Sequence, residues 1–375
     1  MRKFISNHLK NIGGWTTKRK ILCFAVDDYG NILLNSKSAY EKLKSKGGKS
    51  KSHFSRLDAL DTTQDFEMLF EVLSSHKDKN NRNSVFTTYA LPANIDFEKV
   101  LEKNQGYEYE LLPETYSKLS SNDKDYRGAY EMLMQGINEG FLKPQFHGRE
   151  HLNVDLFNYH LKNRTPFFIE NLNHNSYVDI PKNPDKPTVR YTRSFAFWNE
   201  SETFTHLEII KDGLNCFEKV YGYKPTTFTP PALQIHPKFL TQLEVLGIKS
   251  IDKPRDLEHH LGNGKYKRIK NKTEVSKGNN HVTIVRNCAF EPASSKKIDW
   301  INTTLAQVSA AFKLNKPAII SSHRVNFCGK IEAKNRKENL LLLDKLIAKI
   351  IDRHPDVEFL TVDELVEEII KTNQS

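Results

Sequence analysis

The 375 residues suffice for one large α/β barrel or two ordinary domains, and 38% hydrophobic residues with a mean hydropathy of -0.60 describe a globular chain with a well-charged surface. Lys and Arg number 56 against 46 acids, a net charge of +10, which we read as a basic surface. No basic–aromatic alternation suited to stacking bases is present, so nucleic acid is excluded as the expected partner.

The chain opens with a polar lead-in over 1–19, in which no unbroken apolar stretch of a secretory signal appears. No run reaches the length of a membrane span. Cys23, Cys216, Cys288 and Cys328 form no Cys-x-x-Cys pair and read as reduced thiols, so the expected location is cytoplasmic.

Ile21–Val26 reads as a fully buried strand running straight into Asp27 and Asp28, then Tyr29 and Gly30. Two adjacent carboxylates repel each other unless a cation or a shared proton relieves them; a solvated turn is the plainer alternative. A helix is expected over 36–46, stopped by Gly47 and Gly48, and another over 60–76, where Phe66, Leu69, Phe70 and Leu73 share a face. Residues 84–91 read as a strand and 126–139 as a helix, after which Pro144, Gln145 and Phe146 lead into His147. Residues 154–161 read as a helix, 167–170 as a short strand, 171–188 as loop and 202–221 as a long amphipathic helix. Next come a strand at 226–229, a helix at 237–246 and a strand at 248–251.

The stretch of about 253–281 is polar and basic, with little periodicity, and reads as an exposed insertion; its section Lys265–Lys277 is a solvated face or a grip for an anionic glycan. A strand at 282–289, a helix at 300–312, a strand at 318–322 and a helix at 338–352 follow. Thr361 and Glu364 form a capping box for the last helix. Strand and helix alternate with no compositional break, so 20–375 is expected to be a single domain around a parallel sheet, a distorted (β/α) barrel of about seven strands.

In such a fold chemistry gathers where strands end. Asp27 and Asp28 follow the first strand, His147 and His151 follow Phe146, and His323 and Arg324 follow the 318–322 strand. His147 and His151 are four apart, so a helical turn would place both on one face. Two imidazoles and a carboxylate hold a divalent ion and leave a position for water, as catalytic zinc sites do. Glu150 precedes the second His rather than following the first, which argues against a zincin protease.

Three motifs in order, Val26-Asp27-Asp28-Tyr29-Gly30, His147-Gly148-Arg149-Glu150-His151 and Ser321-Ser322-His323, resemble those of the polysaccharide deacetylase (NodB-homology) family of carbohydrate esterases, over about 20–365. That resemblance implies a metal-dependent carbohydrate deacetylase on a distorted barrel. Asp27 would be the general base, Asp28, His147 and His151 would bind a divalent metal, zinc first, and His323 would be the general acid.

The chain departs from the pattern at several points. Gly148 stands for Ser or Thr, Ser321 for Leu, Thr229 for the family Arg, Ala232 for its Tyr, and Lys296 for the first Asp of the motif ending Asp299-Trp300. Arg149 or Arg324 is the expected replacement for the Arg, and the Ala232 N–H an expected oxyanion donor.

Tyr29 and Trp198 are the expected substrate platforms, with Tyr89, Phe195, Phe197 and Trp300 as further aromatics. Glu291, His236 and His174 are spare candidates. Two other readings stay open: a glycan-binding protein with weakened catalysis, and another metal-dependent hydrolase such as a phosphodiesterase.

Overall fold

The structure, a computed structural model, describes residues 7–48, 52–276 and 281–374. The apolar run near the N-terminus forms β1 (Lys20–Tyr29), three residues longer than expected at its C-terminal end because Asp27, Asp28 and Tyr29 remain in the strand. Leu22, Phe24 and Val26 pack into the main core, whereas Ile21, Cys23 and Ala25 pack with Tyr89, Val282, Ile284 and Val362 in a second one. A strand buried on both faces belongs to a parallel sheet covered on both sides. Trimming Phe24 to Ala would cost about 3–5 kcal/mol.

Beside β1 stand β2 (Phe86–Ala90), β3 (Leu142–Phe146), β4 (Thr227–Phe228) and β5 (Ser250–Asp252). The sheet is completed by β6 (Glu274–Val275), β7 (Val282–Ile284), β8 (Cys288–Ala289), β9 (Ala318–His323) and β10 (Val357–Phe359). The hydrogen-bonded order is β6-β7-β5-β4-β3-β2-β1-β9-β8, with β10 also on β1. Only β6 runs antiparallel to its neighbour. The strand expected over 282–289 is broken at Val285, Arg286 and Asn287, and no ladder joins β7 to β8 among the described residues. Four Cα steps separate Ile284 from Cys288, so these two strands end and begin within about 15 Å of each other.

Helices fill the connections and are capped as the sequence suggests. Ser36 accepts from the Ala39 N–H, Thr62 and Asp65 form a capping box, and Gly222 ends Thr203–Tyr221 in the left-handed region. One expectation is overturned: residues 167–170 lie in the helix Pro166–Asn173, not in a strand. Pro166 in the first turn, where its missing N–H costs nothing, is the signal that outweighs the short apolar run.

The basic stretch is not structureless. Asp256–His260 and Tyr266–Lys270 pair as an antiparallel ribbon, and β6 joins the main sheet; residues 277–280, Lys277 included, lie outside the described residues. Of the lead-in, residues 7–19 are described, and Trp15 packs against the second core. All four cysteines are buried and free. No helix among the described residues is long and apolar enough to cross a membrane.

Candidate active site

Side alternation along β1 puts Asp27 on the face of Ile21, Cys23 and Ala25 and would turn Asp28 away. Instead Asp28 has φ +72, and the pairing with β2 shifts register between Val26 and Tyr29. This bulge delivers both carboxylates to one cleft of about 460 Å³. A left-handed residue other than Gly is strained by about 1 kcal/mol or more, least for Asp and Asn. Arg324 braces it, its Nε donating to the Asp28 carbonyl at 2.8 Å.

The backbone of His147 is pinned to the end of β2, its N–H donating to the Ala90 carbonyl at 3.2 Å. The expected helical turn from His147 to His151 is absent; residues 147–153 form a loop, opened by Gly148 at φ +115. The loop nevertheless brings both rings to one point. His147 Nε2 and His151 Nε2 lie 3.2 and 3.3 Å from the same Asp28 Oδ1. The three ligand atoms are within 4.8 Å of one another.

His147 Nδ1 lies 2.6 Å from the Thr229 carbonyl and so carries the proton of the neutral ring. Its Nε2 lone pair then faces a carboxylate oxygen, two acceptors opposed, which a cation at that point would relieve. The residues therefore fit a divalent ion. Burial raises the Asp28 pKa, but positive charge on His151, His147 and His323 more than offsets this and holds it well below the usual carboxylate range; a bound cation would supply positive charge at the same place while the rings stay neutral. Burial pulls His151 below its ordinary value.

Asp27 is gripped by Arg286, Nη1 to Oδ2 and Nη2 to Oδ1, both at 2.7 Å. The same guanidinium donates from Nε to Asp252 Oδ2 at 2.6 Å and from Nη2 to Thr229 Oγ1 at 2.9 Å. Thr229 Oγ1 in turn donates to Asp252 Oδ2 at 2.8 Å. Arg286 lies 5.0 Å from the centre of the Tyr89 ring. Burial disfavours its charge, yet Asp252 and Asp27 more than restore it.

His323, at the end of β9, has Nδ1 2.6 Å from Glu291 Oε1 and Nε2 3.9 Å from Asp27 Oδ2. Burial would lower its pKa; Glu291, Asp28 and Asp27 lift it to about 10. Asn326 fixes the other Glu291 oxygen at 2.8 Å.

Of the residues expected at the site, Asp27, Asp28, His147, His151, Ala232 and His323 line the cleft, Ala232 at φ +56. Tyr29, Arg149, Trp198 and Arg324 do not. The bulge at Asp28 shifts the alternation by one, so Tyr29 turns into the main core and is 3% exposed. Arg149 pairs with Glu150 and Asp212 and lies 4.4 Å from the centre of the Tyr109 ring. Trp198 packs against His260 of the ribbon. Arg324 is buried with Asp58 and Asp61.

Neither expected arginine reaches Asp27; the guanidinium that does is that of Arg286. Asp299 caps Trp300–Lys313 and Lys296 pairs with Glu338, so the acid beside His323 is Glu291. His174 contacts Glu170, and His236 caps the turn at Lys238. Phe195 and Phe197 line a neighbouring cavity, and Trp300 donates to the Ser295 carbonyl.

The sequence reading missed Arg286 and Asp252. The available signals were an arginine inside an apolar strand-like run and a carboxylate directly after Ser250-Ile251.

No protein-family model matches the chain. No curated protein matches it. Among solved structures similar to it is a putative polysaccharide deacetylase from Mycobacterium smegmatis, with 11% identity over 96% of this chain and 94% of that one and a TM-score of 0.48. A peptidoglycan deacetylase from Bacillus subtilis has 13% identity over 95% and 94% of the two chains, with a TM-score of 0.38. A CE4 family pseudoenzyme from Bacillus anthracis has 9% identity over 93% of this chain and 66% of that one, with a TM-score of 0.39.

Proposed function

We propose that the protein is a metal-dependent hydrolase that removes acetyl groups, N- or O-linked, from a poly- or oligosaccharide. The sheet that presents the site would be the distorted (β/α) barrel expected from the alternation of strands and helices, with a seam between Ile284 and Cys288. The reading is carried by one observation: the Asp28, His147 and His151 cluster is flanked by an Arg-held carboxylate, Asp27, and a carboxylate-held imidazole, His323. The three motifs in order support it.

Asp28, His147 and His151 would hold the cation, and two imidazoles with one carboxylate suit zinc. When bound, such an ion supplies Lewis acidity and makes water a nucleophile near neutral pH. Asp27, oriented by Arg286, accepts the proton of the attacking water. The Ala232 N–H serves the developing oxyanion. His323, with Glu291 on Nδ1, presents Nε2–H to the leaving amine or alcohol. The reading as a catalytically weakened glycan binder rested on the absent family arginine; Arg286 beside Asp27 speaks for the enzyme instead.

The test is acetate release from acetylated oligosaccharides. Release that stops with chelator and returns with zinc supports the proposal. Retention of the glycan with no acetate, metal present, refutes it in favour of a binding protein.

A further inference from the structure

Beside the cleft a groove of about 70 Å³ is lined by Lys10, Arg255, Lys270, Lys272 and Lys316, and no carboxylate lines it. It shares Lys10, Arg255 and Asn287 with the cleft, so the two are continuous past the break between β7 and β8. Lys253 adds another cation on the cleft side.

Surface lysines commonly pair with acids, as Lys20 does with Asp356 and Lys249 with Glu367. Among the described residues Lys10, Arg255, Lys270 and Lys272 have no such partner, and the Lys316 Nζ donates instead to the Gly14 and Trp15 carbonyls, each at 2.8 Å. Lys272 is also seated. Its ammonium lies where a Cβ on Gly13 would come within 2.7 Å, and Gly13 at φ +78 leaves that space free. Glu274 is near enough to act on Lys316, but one acid does not balance five cations; like charges in excess repel, and an anion entering the groove relieves them.

Resting on the carbohydrate-hydrolase reading, we propose that the substrate is an acidic saccharide whose anionic groups, carboxylate or sulfate, sit in this groove while its acetylated sugar occupies the cleft. Lysines suit this role because they bind anions as point charges without fixed geometry.

The test is calorimetric titration of the chelator-treated full chain with three hexasaccharides: oligogalacturonate, a heparin fragment and neutral chitohexaose. Preference for either acidic probe supports the proposal, and the preferred one names the anion. That affinity should fall as salt rises from about 50 to about 300 mM. The double variant Lys270→Gln, Lys272→Gln should weaken acidic binding by about fivefold per lysine.

Equal binding of acidic and neutral probes overturns the proposal. So does an equal loss in Lys345→Gln, Lys349→Gln on the helix Ala333–Arg353, neither of which lines the groove or the cleft, since that would make net charge the whole effect. Tighter binding of a single-stranded oligonucleotide than of either acidic probe also overturns it, in favour of nucleic acid. The titration reads binding alone, so its failure and a failure of acetate release are separate results.

Discussion

Arg286 holds both oxygens of Asp27, each at 2.7 Å, while its third edge holds Asp252 at 2.6 Å. One guanidinium thus serves two buried carboxylates and fixes the direction of the proposed base. Lysine cannot span both. Arg286→Lys is expected to lower kcat roughly 100-fold or more through misplacement of Asp27. Arg286→Ala should also lose about 3–5 kcal/mol in urea unfolding, because two buried charges lose their partner. Wild-type turnover in Arg286→Lys would remove the residue from the mechanism.

Asp28 combines a strained backbone with a ligand atom shared by two imidazoles. Asn tolerates the left-handed region nearly as well as Asp. Asp28→Asn should therefore keep the fold of the metal-free protein yet lower zinc affinity at least about tenfold, as loss of a charged ligand should. Zinc added to the wild type should raise its melting temperature, since a ligand bound only by the folded state stabilises it. Asp28→Asn that retains full zinc content would sink the proposed ligand set.

The Asp28, His147 and His151 cluster was legible because Asp28 follows an apolar strand-like run and the two histidines stand four apart after Phe146, and strand ends are where such folds place chemistry. Its geometry was not. Spacing suggested a helical turn for His147 and His151, whereas Gly148 at φ +115 makes a loop that converges equally well. Tyr29 was misplaced because a bulge leaves little trace in composition while reversing every later side of the strand. Arg286 escaped because residues 282–289 read as one strand, and only the fold shows that the run breaks so that the arginine can reach across to Asp27. Glu291 was legible as a candidate; its pairing with His323 links the segment after β8 to the end of β9, and their sequence separation hides the contact.

His323 is expected to titrate far above an ordinary imidazole, at about 10, because Glu291, Asp28 and Asp27 outweigh its burial. A folded value raised above the unfolded one gives stability that is complete below about 6.5 and is lost as pH rises through about 10. Removing the closest charge with Glu291→Gln should move the midpoint down toward the ordinary value. NMR titration of the His323 ring in metal-free protein reads this directly. An unmoved midpoint would mean that Glu291 does not hold the proton on that ring, and its place in the acid step would be lost.

Arg324, expected at the substrate, instead anchors the floor beneath Asp28. It is fully buried, pairs with Asp58 and Asp61, and donates to the Asp28 and Asn31 carbonyls at 2.8 and 3.0 Å. Burial pushes Asp58 and Asp61 up to about 7 even with Arg324 beside them. A carboxyl raised in the folded state keeps its proton after the unfolded chain has lost its own, so these groups lower stability as pH rises from about 4 to about 7. Arg324→Met leaves them without a counter-charge, harmless while both are protonated and costly once they ionise. The variant should lose about 3–5 kcal/mol relative to wild type at pH near 8 and much less near 5, read from urea unfolding at the two values. An equal loss at both would assign the role of Arg324 to its carbonyl contacts alone, with the carboxylates no part of it.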